Sequence, residues 1–281
     1  MSTRTQNLDI VENDPQAVAP ELVVIPAGEF FMGETAEDKF ATDTERPTHR
    51  VSIKHSFALG KFPVTEAEFE KFVSSESTTS VVGRVLCPPV LLAPNMAGLK
   101  PAPQWRTSFQ EPGDDLPVVN VSWDDARDYC AWLSAETGKL FRLPTEAEWE
   151  YACRAGTRTP FGTGNDITLA EANFLYTENG ERVGPGERVS VRQGSANRFG
   201  VCGLHGNVCE WVEDSWHPNY EGAPTDGAAW VSGGDPMRCV IRGGAWDYLP
   251  RLLRSAWRDG LPKQCRRDNV GFRVALTIEG S

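Results

Sequence analysis

An α+β fold poor in regular structure is what the sequence predicts, and three observations carry it. Three stretches open with helix-capping signatures, short runs near both ends read as strands, and long polar segments rich in Gly and Pro lie between them. At 281 residues the chain can bury a sizeable core, as one large domain or two. Its 28 basic against 39 acidic residues give a formal charge of -11, which argues against nucleic acid or an anionic membrane as partner. No segment approaches the about 18 apolar residues of a membrane span, and no apolar run follows the first Arg, so a cytoplasmic protein is expected. The seven cysteines are scattered without a Cys-x2-Cys pair, which favours reduced thiols.

Residues 1 to 20 are polar and aperiodic, which predicts a mobile tail before a domain over 21 to 281. Leu22 to Ile25 reads as a short buried strand, and Gly28 to Gly33 as a second joined to it by a tight turn. His49 and His55 flank the alternating Val51 and Ile53 and read as surface residues of a strand. Thr65-Glu-Ala-Glu68 is a capping box, followed by Phe69 and Phe72 on one face. Ser122-Trp-Asp-Asp125 and Thr145-Glu-Ala-Glu148 open two further helices, with stops expected at Gly138 and Gly156. Capping accounts for Asp124, Asp125, Glu146 and Glu148 without catalytic roles. Ser74 to Pro117 is a long loop, and Trp105 is its candidate anchor; simple burial of that ring is the plain alternative.

From Gly156 to Asn197 the chain is irregular, and Asn173, Glu178, Asn179 and Glu181 are its oxygen-bearing residues. Calcium accepts such ligands, but the EF-hand spacing is missing. Cys202, His205 and Cys209 recur at metal-like intervals without a fourth ligand, so structural thiols are the better reading.

The closing stretch organises the rest. Arg242-Gly-Gly-Ala-Trp246 and Gly271-Phe-Arg-Val-Ala275 bracket an irregular insert in which large apolar residues alternate with Arg251, Arg254, Arg258, Lys263, Arg266 and Arg267. Phe272, Val274 and Leu276 are spaced for one face of a closing strand. Such a mixture on irregular backbone suits ligand contact. The plain alternative is that the apolar residues plug the core and the arginines solvate its rim.

Seven motifs in order resemble the formylglycine-generating enzyme (sulfatase-modifying factor) family. They are Gly28 to Gly33, Pro63-Val-Thr65, Pro117 to Trp123, Phe141 to Glu150, Gly206 to Trp211, Arg242 to Trp246 and Gly271 to Val274. The resemblance implies a C-type-lectin-like α+β fold, low in regular structure. The active enzymes hold copper with two cysteines just after the Arg-Gly-Gly motif. Tyr248 stands at the first of these positions, and 247 to 258 contains no cysteine, so no copper and no formylglycine generation are expected. A structural calcium is implied by partial matches at two sites: Asn173 and Phe174 at the first, Gly206, Val208 and Glu210 at the second. At the latter, Gly203 replaces the usual Asp or Asn.

The closing region, including Leu253-Arg-Ser-Ala256, also resembles the variable region of diversity-generating retroelement proteins. Randomised Asn codons can produce Tyr248, Leu249, Leu252, Asp259, Gly260, Leu261, Cys265 and Arg267. A non-catalytic binding protein for a protein or small-molecule ligand is therefore expected. An enzyme of the same family with altered chemistry is the alternative. The expected ligand site comprises Trp246, Asp247, Tyr248, Leu249, Arg251, Leu252, Trp257, Asp259, Leu261, Lys263, Cys265 and Arg267. Within it Tyr248, Leu249, Leu252, Trp257 and Leu261 should be partly exposed, ringed by Arg251, Lys263 and Arg267. Trp246, Leu253, Phe272 and Val274 should be buried.

Overall fold

The computed structural model describes residues 18–36, 38–75 and 113–278. Most of the expected N-terminal tail, and Trp105 with most of its loop, lie outside the described residues. The strands are β1 (Leu22–Ile25), β2 (Gly28–Met32), β3 (His49–Ile53), β4 (Phe57–Gly60), β5 (Phe141–Arg142), β6 (Cys209–Trp216), β7 (Asp235–Arg242), β8 (Arg258–Pro262), β9 (Val270–Phe272) and β10 (Ala275–Thr277). Among the described residues three α-helices join them, α1 (Glu66–Ser74), α2 (Trp123–Thr137) and α3 (Glu146–Arg154). This is the expected α+β architecture, with short elements and long irregular connections. Among the described residues no helix is long and apolar enough to cross a membrane.

Each helix starts where its local chemistry dictates. Thr65, Ser122 and Thr145 accept from the amides of the third helical residues, Glu68, Asp125 and Glu148, whose carboxylates return to the cap amides. Gly138 ends α2 in the left-handed region at φ 68°. In α3 that role falls on Ala155, one residue before the expected Gly156. Phe69 and Phe72 of α1 meet Tyr129 of α2 and, from Phe69, Phe272 of β9, so both helices bury their aromatic faces in one core.

Strand pairing differs from the expected hairpin. β1 pairs antiparallel with β4, and β2 with β3, so the Pro26-Ala27 link crosses between sheets. β10 bridges β4 and β5, while β6 to β9 form a second four-stranded sheet in the order β8-β7-β6-β9, with β6 and β9 parallel. The expected closing strand is thus two strands in two sheets, split at Arg273-Val274. Phe272, Val274 and Leu276 are all buried, as their spacing predicts. Arg273 between them is also fully buried, which alternation does not predict.

Candidate binding face

The frame around the insert is held by buried arginines. Arg242 donates to Glu150 and to the carbonyls of Ser255, Ala256 and Trp257. Arg258 forms a two-point pair with Glu146 at 2.7 and 2.9 Å and donates to the carbonyls of Thr44 and His217. Arg254 pairs with Glu45 and Asp38, and its Nε donates to the Arg251 carbonyl. Irregular backbone lacks ladder partners, and guanidinium donors supply them here. Two expectations are corrected by these contacts. Arg254 and Arg258, read as ligand contacts or, in the plain alternative, as rim cations, are core residues, and Glu146 is an ion-pair partner rather than a cap.

The insert divides into an outward and an inward part. Leu249 begins a 3-10 turn over Pro250–Leu252, leaving Tyr248, Leu249 and Leu252 half-buried and Asp247, Arg251 and Arg267 exposed. Trp257 and Leu261, expected to be partly exposed, retain only 7% and 5% exposure. Trp257 meets Tyr248 edge-on at 5.6 Å, and Leu261 lies in β8 paired to Cys239 of β7. The retroelement-type positions shrink accordingly. A Cβ on Gly260 would come within 2.5 Å of the Trp216 ring, so that position cannot carry a side chain without movement.

Tyr248 is the centre of the outward part. Its hydroxyl bonds with the Cys209 thiol, and Asp247, Asp259 and Arg267 lie within electrostatic reach of it. Burial, then Cys209 and the two aspartates, push its pKa up, so the phenol stays neutral. Cys265 is half-buried and bonded to Arg267. Asp259 is half-exposed. Lys263 is not a free rim cation: its ammonium lies 4.9 Å from the Trp123 ring centre. Trp246, expected to be buried, is half-exposed; its amide donates to Asn207, but its Nε1 is buried and meets no acceptor among the described residues. Asn269 donates to both oxygens of Asp247 at 3.0 and 3.1 Å, and its own Oδ1 meets no donor among the described residues.

A cleft of about 400 Å³ opens on the other flank of the 3-10 turn, walled by Phe40, Phe161, Ile167 and Phe174 and bordered by Arg251. Tyr248 packs on the same apolar cluster as Phe161 and Phe174, so turn and cleft form one surface. Arg251 is tied there to Glu178 by its amide and guanidinium. Sequence reasoning missed this cleft because its aromatic walls lie far from the insert in the chain, with no periodicity linking them.

The two implied calcium positions differ. Asn173 donates to Glu187 O and Asn207 Oδ1, but its own Oδ1 is buried without a donor among the described residues. An orphaned buried oxygen there fits a cation. The second set does not fit. The Gly206 carbonyl accepts from Val208, and Glu210 accepts from Trp149 and twice from Arg273, whose guanidinium supplies the matching charge. Among the described residues no cluster of three His, Cys, Asp or Glu could hold a metal ion. Among the described residues Cys202 and Cys209 form no disulfide.

Fold and motifs together define a formylglycine-generating-enzyme-like scaffold. The chain belongs to the sulfatase-modifying factor enzyme 1-like domain family, whose profile matches residues 8–278. It is 31% identical to the inactive C-alpha-formylglycine-generating enzyme 2 of Mus musculus, over 91% of this chain and 85% of that protein. It is 33% identical to the hercynine oxygenase of Mycolicibacterium smegmatis, over 93% of this chain and 62% of that protein. Among solved structures, PvdO from Pseudomonas aeruginosa matches with a TM-score of 0.75 and 34% identity, covering 93% of this chain and 95% of that one. Treponema denticola variable protein 1 matches with a TM-score of 0.67, covering 91% and 94%; at 19% identity it shows the fold alone.

Proposed function

We propose that this protein is a non-catalytic binding member of the family, which takes its ligand on the face formed by Tyr248, the 3-10 turn and the adjoining cleft. One observation carries the reading: half-buried Tyr248, Leu249 and Leu252 are displayed on irregular backbone that buried arginines hold in place. A rigid loop with apolar side chains outward loses little entropy on binding. The ligand that suits this face has an apolar body for the cleft and polar groups for its rim, as a peptide or small molecule has. One structural calcium at Asn173 and Phe174 belongs to the same proposal. A retroelement-type variable site is compatible with positions 247 to 252 and 263 to 267, but not with the packed residues of β8.

The second reading, an enzyme of altered chemistry, draws on the likeness to a protein named hercynine oxygenase, of which this chain spans 62%. A copper-dependent oxidase is the version most directly opposed by the residues, since a neutral phenol replaces the soft donor at 248. Incubating the protein with copper(I), oxygen and a cysteine-containing sulfatase-type peptide, and reading the peptide by mass spectrometry, tests it. The proposal expects no conversion of thiol to aldehyde; turnover that depends on copper would overturn it.

A further inference from the structure

At the edge of the cleft beside the 3-10 turn, one carboxylate of the chain occupies donors that face a ligand-sized space. Glu178 Oε1 accepts the main-chain amide of Arg251 at 2.5 Å, and Glu178 Oε2 lies 3.5 Å from Arg251 Nη1. Arg251 thus offers an amide and a guanidinium to the two oxygens of a single carboxylate, an arrangement that recognises that group. The Arg251 and Glu178 side chains keep 44% and 30% exposure, so water competes for the contact and the pair is weakly held. Arg254 at the same cleft is in the opposite state. Asp38 and Glu45 bind it with all three side chains at 2% exposure or less, which makes that cluster part of the cleft's fixed wall.

Glu178 can leave without disturbing the fold. It sits in a turn where the Thr177 amide donates to the Glu181 carbonyl and the Gly180 amide to the Thr177 carbonyl, both at 2.9 Å, and where Tyr176 and Arg182 form a bridge. None of these bonds uses the Glu178 side chain, so its rotation into water frees both donors of Arg251 and leaves the turn in place. Charge and shape then define what replaces it. The cleft of about 400 Å³ has Phe40, Phe161, Ile167 and Phe174 as apolar walls. Its charged residues, Asp38, Asp166 and Glu178 against Lys39, Arg251 and Arg254, cancel. With Glu178 turned away, the cleft holds one unmatched positive charge, at Arg251.

We propose that the cleft takes a monocarboxylate with an apolar body, and that Glu178 is an internal stand-in which this ligand displaces from Arg251. The inference rests on the binding face described above and names its ligand class. The apolar body lies against the phenylalanines, as the mostly apolar lining of a ligand pocket requires, and the carboxylate takes the amide and guanidinium of Arg251. Glu178 also sets specificity. An uncharged ligand that displaces it leaves Arg251 unmatched, whereas a carboxylate restores both contacts.

Isothermal titration of the folded full chain with N-acetyl-L-phenylalanine and with its uncharged amide tests this. The acid should bind about tenfold or more tightly than the amide. Glu178→Gln removes the competing charge and should tighten the acid roughly fivefold, with the amide changed by less than about twofold, because the internal carboxylate no longer occupies the site. Arg251→Gln should bring acid and amide within about twofold of each other. Both substitutions are at partly exposed positions, and melting transitions check that the variants fold. A blocked tetrapeptide ending in phenylalanine separates the sources of the carboxylate: tighter binding than the acid marks a peptide terminus, weaker binding a free acid, and either supports the proposal. Acid and amide bound equally, an acid that Glu178→Gln does not tighten, or no binding of the acid to wild type or Glu178→Gln would overturn it. Equal binding of acid and amide that is lost in Tyr248→Ala would leave the binding face standing without this ligand class. A preference for the acid that survives Tyr248→Ala unchanged would keep the carboxylate site and remove Tyr248 from the face.

Discussion

Arg273 closes on Glu210 through Nε to Oε2 at 2.6 Å and Nη2 to Oε1 at 2.7 Å, with both side chains out of water. The pair ties the closing strands to β6. Its guanidinium also reaches the Gly203 carbonyl, so a protein cation serves the oxygens where a calcium ion is implied. Glu210→Ala would leave that guanidinium buried and unmatched, and a loss of about 3–5 kcal/mol is expected in urea unfolding. The loss should be the same with calcium and with chelator. A loss that vanishes in chelator would return the metal to Glu210.

Calcium should act through Asn173 instead. Millimolar calcium is expected to raise the melting temperature of the wild type, because a ligand selective for the native state stabilises it by mass action. Asn173→Ala, which removes the orphaned Oδ1, should abolish the shift. A wild-type transition that ignores calcium would remove the metal from the account.

The insert should respond to truncation in two ways. Trp257→Ala and Leu261→Ala each remove a buried side chain and should cost about 3–5 and 2–5 kcal/mol respectively. Arg251→Ala and Arg267→Ala, at exposed positions, should stay within about 0.5 kcal/mol. Chemical denaturation separates the two sets, and a uniform response across all four would contradict the division of the insert.

What could be read in the sequence was what is local. Capping boxes at Thr65 and Thr145 involve residues three apart and form as expected, and the N-cap expected at Ser122 forms as a full box with Asp125. The missing thiol at 248 was equally visible. Partnership across the chain was not: Arg258 and Glu146 lie 112 positions apart, so one read as a ligand contact or rim cation and the other as a cap. Trp257 and Leu261 misled for a related reason. Their neighbours Arg258 and Asp259 look solvent-facing, yet pairing of β8 with β7 turns them and the arginine inward. The cleft beside Arg251 is assembled from three distant segments and leaves no pattern in any of them.

Stability should also carry a signature of Asp214. Burial, then the charge of Glu146, push its carboxyl up to about 7, against the pull of the Trp230 and Glu146 amides that it accepts. The folded state therefore holds a proton that the unfolded chain releases near pH 4. The contribution is fully present below that unfolded value and is lost as pH rises through about 7. Asp214→Asn should flatten this fall between pH 4 and 7 in urea titrations. An unchanged slope would show that Asp214 is ionised throughout.

The binding face itself is tested most directly by thermal-shift screening of a panel of small molecules and short peptides against the wild type and a Tyr248→Ala/Arg251→Ala double variant, with each compound recovered and weighed by mass spectrometry. The account predicts compounds that stabilise the wild type, lose most of that effect in a double variant of near-normal intrinsic melting, and are recovered unchanged. Hits that bind both proteins equally, or that return chemically altered, would contradict it.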